Sequence, residues 1–160
     1  MRRIVLFAGL TGLAALCPLA RAEAQDTTRF THADTLRGAN GPARAWWDAT
    51  FYDLRVSVFP ADSSIRGSNG ITYRVLRPAQ EMQLDLQVPL EVDSIVQDRR
   101  VLAYRRDGNA LFVTLAARQR AGEVRTVTVW YHGQPRAAQR PPWDGGFIWA
   151  RDSLGNPWVA

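Results

Sequence analysis

Histidine is the side chain that most often serves as a general base or a zinc ligand, and this chain has two, His32 and His132. They are far apart in sequence, with no His-x-x-x-His or His-Glu pairing beside either. His32 lies in a polar stretch and His132 at the end of an apolar alternation, so both read as surface histidines. Cys17 is the only cysteine and lies in the amino-terminal apolar run. A chain that sheds that run has no disulfide, no thiolate nucleophile and no cysteine metal ligand. There is no Gly-x-Ser-x-Gly, and Ser63-Ser64 and Ser68 fall in what reads as a turn after Pro60. Asp85, Glu91 and Asp93 are the carboxylates a glycoside-cleaving pair would draw on, yet Asp85 alternates with apolar residues and is expected to face solvent. Gly67-Ser68-Asn69-Gly70 lacks the Lys-Ser/Thr and the following helix of a phosphate-cradling loop. No catalytic residue, metal ligand, substrate-binding residue or cofactor is assigned within the chain.

The aromatic residues stand out instead. Trp143, Phe147, Trp149 and Trp158 fall close together near the carboxy-terminal end, and Trp46-Trp47 add to them from the other side. Such a density of tryptophan reads as packing against a neighbouring domain, as internal core or as a ligand-stacking platform, because leaving it exposed is costly for an isolated domain. The expected role of Trp143, Phe147, Trp149 and Trp158 is packing against a neighbouring domain. Pro141-Pro142 and Gly145-Gly146 make this stretch irregular, and the chain stops directly after Trp158-Val159, which reads as a truncation.

The elements that must position these residues follow a period of two. Tyr52, Leu54, Val56 and Val58 alternate with Asp53, Arg55 and Ser57; Ile71, Tyr73 and Val75 follow; Met82, Leu84, Leu86 and Val88 alternate with Gln83, Asp85 and Gln87. Alternation over such lengths is the signature of half-buried strands. Leu102 and Tyr104, then Leu111, Val113 and Leu115, flank Asp107-Gly108-Asn109, a hairpin signal. Val127, Val129 and Tyr131 form a last clear strand. No segment after residue 25 has apolar residues at helical spacing. The expected fold is all-β, an antiparallel β-sandwich or a saddle-shaped sheet. Its expected core is Tyr52, Leu54, Val56, Tyr73, Leu84, Leu86, Val113, Val127 and Val129.

The amino terminus reads as an address. Met1-Arg2-Arg3 is a positive start, Ile4 to Leu19 an apolar run, and Ala20-Arg21-Ala22 and Ala22-Glu23-Ala24 are small-x-small cleavage triplets. The run is shorter than the roughly 20 residues of a spanning helix. Residues 1–24 are therefore expected to be a cleaved signal peptide, cut after Ala22 or Ala24. The protein would be secreted or periplasmic, without a stable membrane anchor. Residues 25–45 read as a spacer, with order starting near Trp46-Trp47. With cleavage after Ala22, losing Arg2, Arg3 and Arg21 takes the net charge from +5 to about +2. The remaining arginines are interleaved with acids, which argues against nucleic acid as a partner.

The order of residues resembles the opening of the M1 family of zinc aminopeptidases. The resemblance rests on Trp47-Asp48 with Tyr52-Asp53-Leu54-Arg55-Val56, then Ile65-Arg66-Gly67 with Ile71-Thr72-Tyr73. It continues through Leu84-Asp85-Leu86, Leu90-Glu91-Val92-Asp93-Ser94-Ile95, Gly122-Glu123 and Val127-Thr128-Val129-Trp130-Tyr131-His132-Gly133-Gln134-Pro135. Trp143-Asp144-Gly145-Gly146-Phe147 looks like a bacterial subgroup. The resemblance covers residues 46–160. It implies a β-structured amino-terminal domain that packs on a helical, zinc-holding catalytic domain and covers its active site. The Gly-x-Met-Glu-Asn and His-Glu-x-x-His motifs of that catalytic domain are not in this sequence, and the side chain that grips the substrate's amine would fall just after Ala160. Zinc and peptide substrates are thus expected of the full-length protein. The alternative is a free-standing secreted β-sandwich module that binds a glycan or a protein partner.

Overall fold

The computed structural model describes residues 30–160. The leader read at residues 1–24, with Cys17 and both cleavage triplets, lies outside the described residues. One helix and ten strands follow in order: α1 (His32–Gly38), β1 (Trp47–Phe59), β2 (Ser64–Val75), β3 (Ala79–Asp85), β4 (Glu91–Gln97), β5 (Arg100–Val101), β6 (Ala103–Asp107), β7 (Ala110–Gln119), β8 (Val124–Gly133), β9 (Trp149–Arg151) and β10 (Pro157–Val159). A five-stranded sheet has the order β1-β2-β8-β4-β5, a three-stranded sheet the order β3-β7-β6, and β9 and β10 form a small ribbon. All strand pairs are antiparallel. The all-β sandwich expected from the alternation is what forms.

The two larger sheets enclose one core. Ile71, Tyr73 and Val75 of β2, Val127 and Val129 of β8, and Ile95 of β4 cluster with Met82 and Leu84 of β3 and Leu111, Val113 and Leu115 of β7. Trp46 closes one corner. It meets Tyr73 edge-on at 6.0 Å, and its indole N–H donates to the Glu81 carbonyl at 2.7 Å. Trp47 also meets Tyr73, at 5.8 Å. These two tryptophans therefore belong to the core and its margin, not to the aromatic tail. The β6–β7 hairpin forms where the Asp-Gly signal placed it, with Asp107 opposite Ala110. Gly108 takes φ 57° at the first loop position, which fits the primed turns that match strand twist.

Four expectations are corrected. First, Tyr52, Leu54 and Val56 are not core residues: all are exposed, Leu54 by 61%. Their alternation is real, because they pair with Ile71, Asn69 and Gly67 of β2, and residues directly opposite share a sheet face. That face is the core face, but among the described residues no second layer reaches over β1 beyond Ala49. Leu86 is likewise only half-buried at the core margin, because β3 ends at Asp85. Second, Ser68 and the Gly67–Gly70 stretch lie inside β2 and not in a turn. Gly67 is needed there because a Cβ would stand 2.4 Å from the Arg55 carbonyl and 2.9 Å from the Tyr131 hydroxyl.

Third, the segment read as a spacer holds α1, well ahead of Trp46. A capping box starts the helix: the Asp34 amide donates to the Thr31 hydroxyl and the Thr31 amide donates to the Asp34 carboxylate. Fourth, Gln83 points outward from β3 as the alternation requires, yet it is buried. The segment that follows α1 covers it. The Gln83 amide donates to the Leu36 carbonyl at 3.0 Å, and its backbone N–H to Ala43 at 2.9 Å. Arg44 pairs with Asp85 and donates to the Arg37 carbonyl, tying the same segment to β3.

Candidate interaction surface

Among the described residues two apolar surfaces are exposed. The first is the uncovered half of the core face. Tyr52, Leu54, Val56 and Val58 project from β1, and Ile65, Gly67 and Asn69 continue the face on β2. Tyr131 of β8 lies opposite Gly67, filling the room left by the missing Cβ. Burial pushes the Tyr131 phenol above its ordinary range. The Asn69 side-chain oxygen is enclosed and accepts no hydrogen bond. A cleft of about 380 Å³ between Tyr52, Ile71, Leu84 and Arg44 marks where the cover supplied by the three-stranded sheet stops.

The second surface is the tail. Trp143 is 86% exposed and Trp158 is exposed, while Phe147 and Trp149 are half-buried and stack on each other at 5.4 Å. Backbone bonds hold this stretch against the 136–138 segment that follows β8 and against the last residue, Ala160. Phe147 donates to the Arg136 carbonyl, Ala138 donates to the Phe147 carbonyl, and Ile148 and Ala160 exchange a reciprocal pair. Gly146, at φ 113°, lies so close to the 136–138 backbone that a Cβ would meet three atoms within 2.9 Å. The four residues expected at an interface thus split into an exposed pair and a stacked, half-buried pair.

Asp144 organises the turn within this tail. Its carboxylate accepts the Gln139 backbone N–H at 2.7 Å, with Arg136 3.9 Å away. The Gln139 amide, helped by Arg136, holds the Asp144 carboxyl below its ordinary value of 3.8. A depressed acid contributes stability that is fully present above the unfolded pKa and is lost as pH falls through the folded one. The turn is therefore expected to hold at neutral pH and to open below about pH 3.8. Tryptophan emission followed during acidification should report that opening. Asp144→Asn should weaken the turn at pH 7 and remove this acid step; an unchanged acid step would refute the role given to Asp144.

No protein-family model matches the sequence, and no curated protein matches it. Solved structures do match. An M1 zinc metallopeptidase from Deinococcus radiodurans superposes with a TM-score of 0.54 at 19% identity, over 69% of this chain and 27% of that one. A mutant of the M1 zinc metallopeptidase from Deinococcus radiodurans, bound to a Tyr-Ser-Ala substrate, gives 0.54 at 21% identity over 71% and 28%. Leukotriene A4 hydrolase from Saccharomyces cerevisiae gives 0.55 at 19% identity over 72% and 19%. The chain has the fold of an M1 amino-terminal domain. It spans about a quarter of the length of the Deinococcus enzyme and about a fifth of the yeast one.

The domain holds its two histidines apart. His32 is 3.0 Å from Asp107 at the β6–β7 turn, and His132 is 2.6 Å from Asp93 across the β4–β8 pair. Each histidine ring is thus paired with a single carboxylate, His32 at an exposed position and His132 at a half-buried one. Among the described residues no three His, Cys, Asp or Glu side chains come together in a way that could hold a metal ion. No helix among them is long and apolar enough to cross a membrane. The apolar β1 face and the aromatic tail are exposed apolar surfaces among the described residues.

Proposed function

We propose that this chain is the non-catalytic amino-terminal domain of an exported M1-like zinc metallopeptidase, and that it packs on a catalytic domain and covers its active site. The observation that carries the reading is the β1–β2 face: it continues the core face of an M1-type sheet, yet Tyr52, Leu54, Val56 and Val58 are exposed on it. The half-open aromatic tail adds a second apolar surface for the same partner. Large aromatics bury roughly 150–250 Å² each when packed, so a domain that covers them gains substantial hydrophobic stabilisation at about 25 cal/mol per Å². Zinc and peptide cleavage would belong to that catalytic domain, and the leader at residues 1–24 would carry the protein out of the cytoplasm.

The test compares the 160-residue chain with a polypeptide that joins it to an M1 catalytic domain. The chain alone should bind an apolar dye, show water-exposed tryptophan emission from Trp143 and Trp158, and hold no stoichiometric zinc. The joined protein should lose the dye binding and shift its emission to the blue. Saturable oligosaccharide binding by the isolated chain, abolished by Trp149→Ala, would instead establish the free-standing glycan module.

A further inference from the structure

The edge of β1, as distinct from its face, carries a pattern that the reading above does not use. Among the described residues β1 pairs only with β2 and ends the five-stranded sheet. Its pairing is regular from Phe51 to Phe59, and every residue in that stretch is exposed. It contains neither proline nor lysine, two of the residues that commonly guard a free edge. A strand of this kind presents unpaired N–H and C=O groups to any extended segment that fits.

We infer that the fitting segment is β1 of a second copy, paired antiparallel about a two-fold axis at Leu54. Two edges joined antiparallel by symmetry need an axis normal to the sheet, so one residue must face itself. Few registers are then available, and the two charges in the stretch choose among them. Centring on Asp53 sets carboxylate against carboxylate, and centring on Arg55 sets guanidinium against guanidinium; like charges directly opposite are unfavourable. Centring on Tyr52 or Val56 leaves both charges opposite uncharged residues. Only the Leu54 register sets Asp53 opposite Arg55 of the second copy, twice, while Tyr52 faces Val56 and Leu54 faces itself on the apolar side. Asp53 and Arg55 already bridge each other within the strand at 3.2 Å, so their side chains lie on the same sheet face and can exchange partners across the edge. The result is one continuous ten-stranded sheet, and the apolar face remains free for a catalytic domain.

Sedimentation velocity of the chain over a concentration series should show a reversible monomer–dimer equilibrium. Asp53→Arg and Arg55→Asp should each return the species to monomer mass, and the double exchange D53R/R55D should restore the dimer. Both sites are exposed, and circular dichroism checks that the sheet survives each change. In a Cys17→Ser background, Leu54→Cys should cross-link the pair under mild oxidation and Val58→Cys should not. A monomer throughout the series, single variants that remain dimeric, a double variant that fails to recover, or cross-linking at residue 58 in place of residue 54 would each overturn the inference. None of these outcomes bears on the proposed catalytic partner, which is read by dye binding and tail tryptophan emission.

Discussion

Leu111→Ala should destabilise the chain by about 2–5 kcal/mol, whereas Leu54→Ala in the dilute monomer should stay within about 0.5 kcal/mol. Both are leucines in alternating strands, and their sequence surroundings do not separate them. Their positions in the sheets do. Leu111 lies in β7, the central strand of the three-stranded sheet, flanked by Leu84 on one side and Arg106 on the other. It is fully buried within the cluster that includes Ile95, Met82 and Val127. Truncating it removes apolar contacts on all sides and leaves a cavity that strands tied on both edges cannot close. Leu54 sits on an edge strand opposite Asn69 and loses little by truncation, because most of its surface is already wet. Urea midpoints with unchanged m-values would measure both. A Leu54→Ala loss as large as that of Leu111→Ala would mean that the β1 face is covered in the monomer.

That contrast shows what alternation can and cannot reveal. Period two placed Tyr52, Leu54, Val56 and Val58 on one face, and the register with β2 puts them there. Burial, however, depends on a second layer built from β3, β6 and β7, distant in sequence, and that layer stops short of β1 after Ala49. The β6–β7 hairpin was legible because its cause is local: a glycine free to take φ 57° between two alternating runs. β2 was read too short because small polar residues resemble a turn. Gly67 is in fact small so that the Tyr131 ring can lie against the sheet. α1 left no amphipathic trace, since seven residues that bury nothing carry no apolar stripe; its only signal was the Thr31–Asp34 capping pair. Of the candidate interface, the aromatic tail could be found by composition. The β1 face was mistaken for core because exposed and buried apolar alternation look alike in sequence.

Gln119→Leu should cost more than its position at the end of β7 suggests. The Tyr73 hydroxyl donates to Gln119 Oε1 at 2.7 Å, Gln119 Nε2 donates to Gln97 Oε1 at 2.8 Å, and Gln97 Nε2 donates back to the Tyr73 oxygen at 2.9 Å. The three side chains close a ring of hydrogen bonds, and all three residues are buried. Leucine at 119 would strip the Tyr73 donor and the Gln97 acceptor of their partners together. Each buried orphan costs about 1–3 kcal/mol. The triple change Tyr73→Phe, Gln97→Leu and Gln119→Leu should recover most of the loss, since it leaves no member of the ring unsatisfied and removes besides only the long 3.4 Å bond from Gln97 to the Thr126 carbonyl. A triple variant less stable than Gln119→Leu would show that the ring is a net source of stability and not a balanced insertion of polar groups. The ring also sets an alkaline limit. Burial raises the Tyr73 phenol above its ordinary value of 10.0, and the Gln97 N–H offsets this only in part. Below pH 10 the phenol is neutral in both the folded and the unfolded chain, and this contribution is intact. Above it the unfolded chain releases the proton first, so stability falls as pH rises toward the folded pKa. Tyr73→Phe should lose that share of the alkaline decline while leaving the decline contributed by the other tyrosines, so alkaline titrations of the two proteins should diverge only above about pH 10.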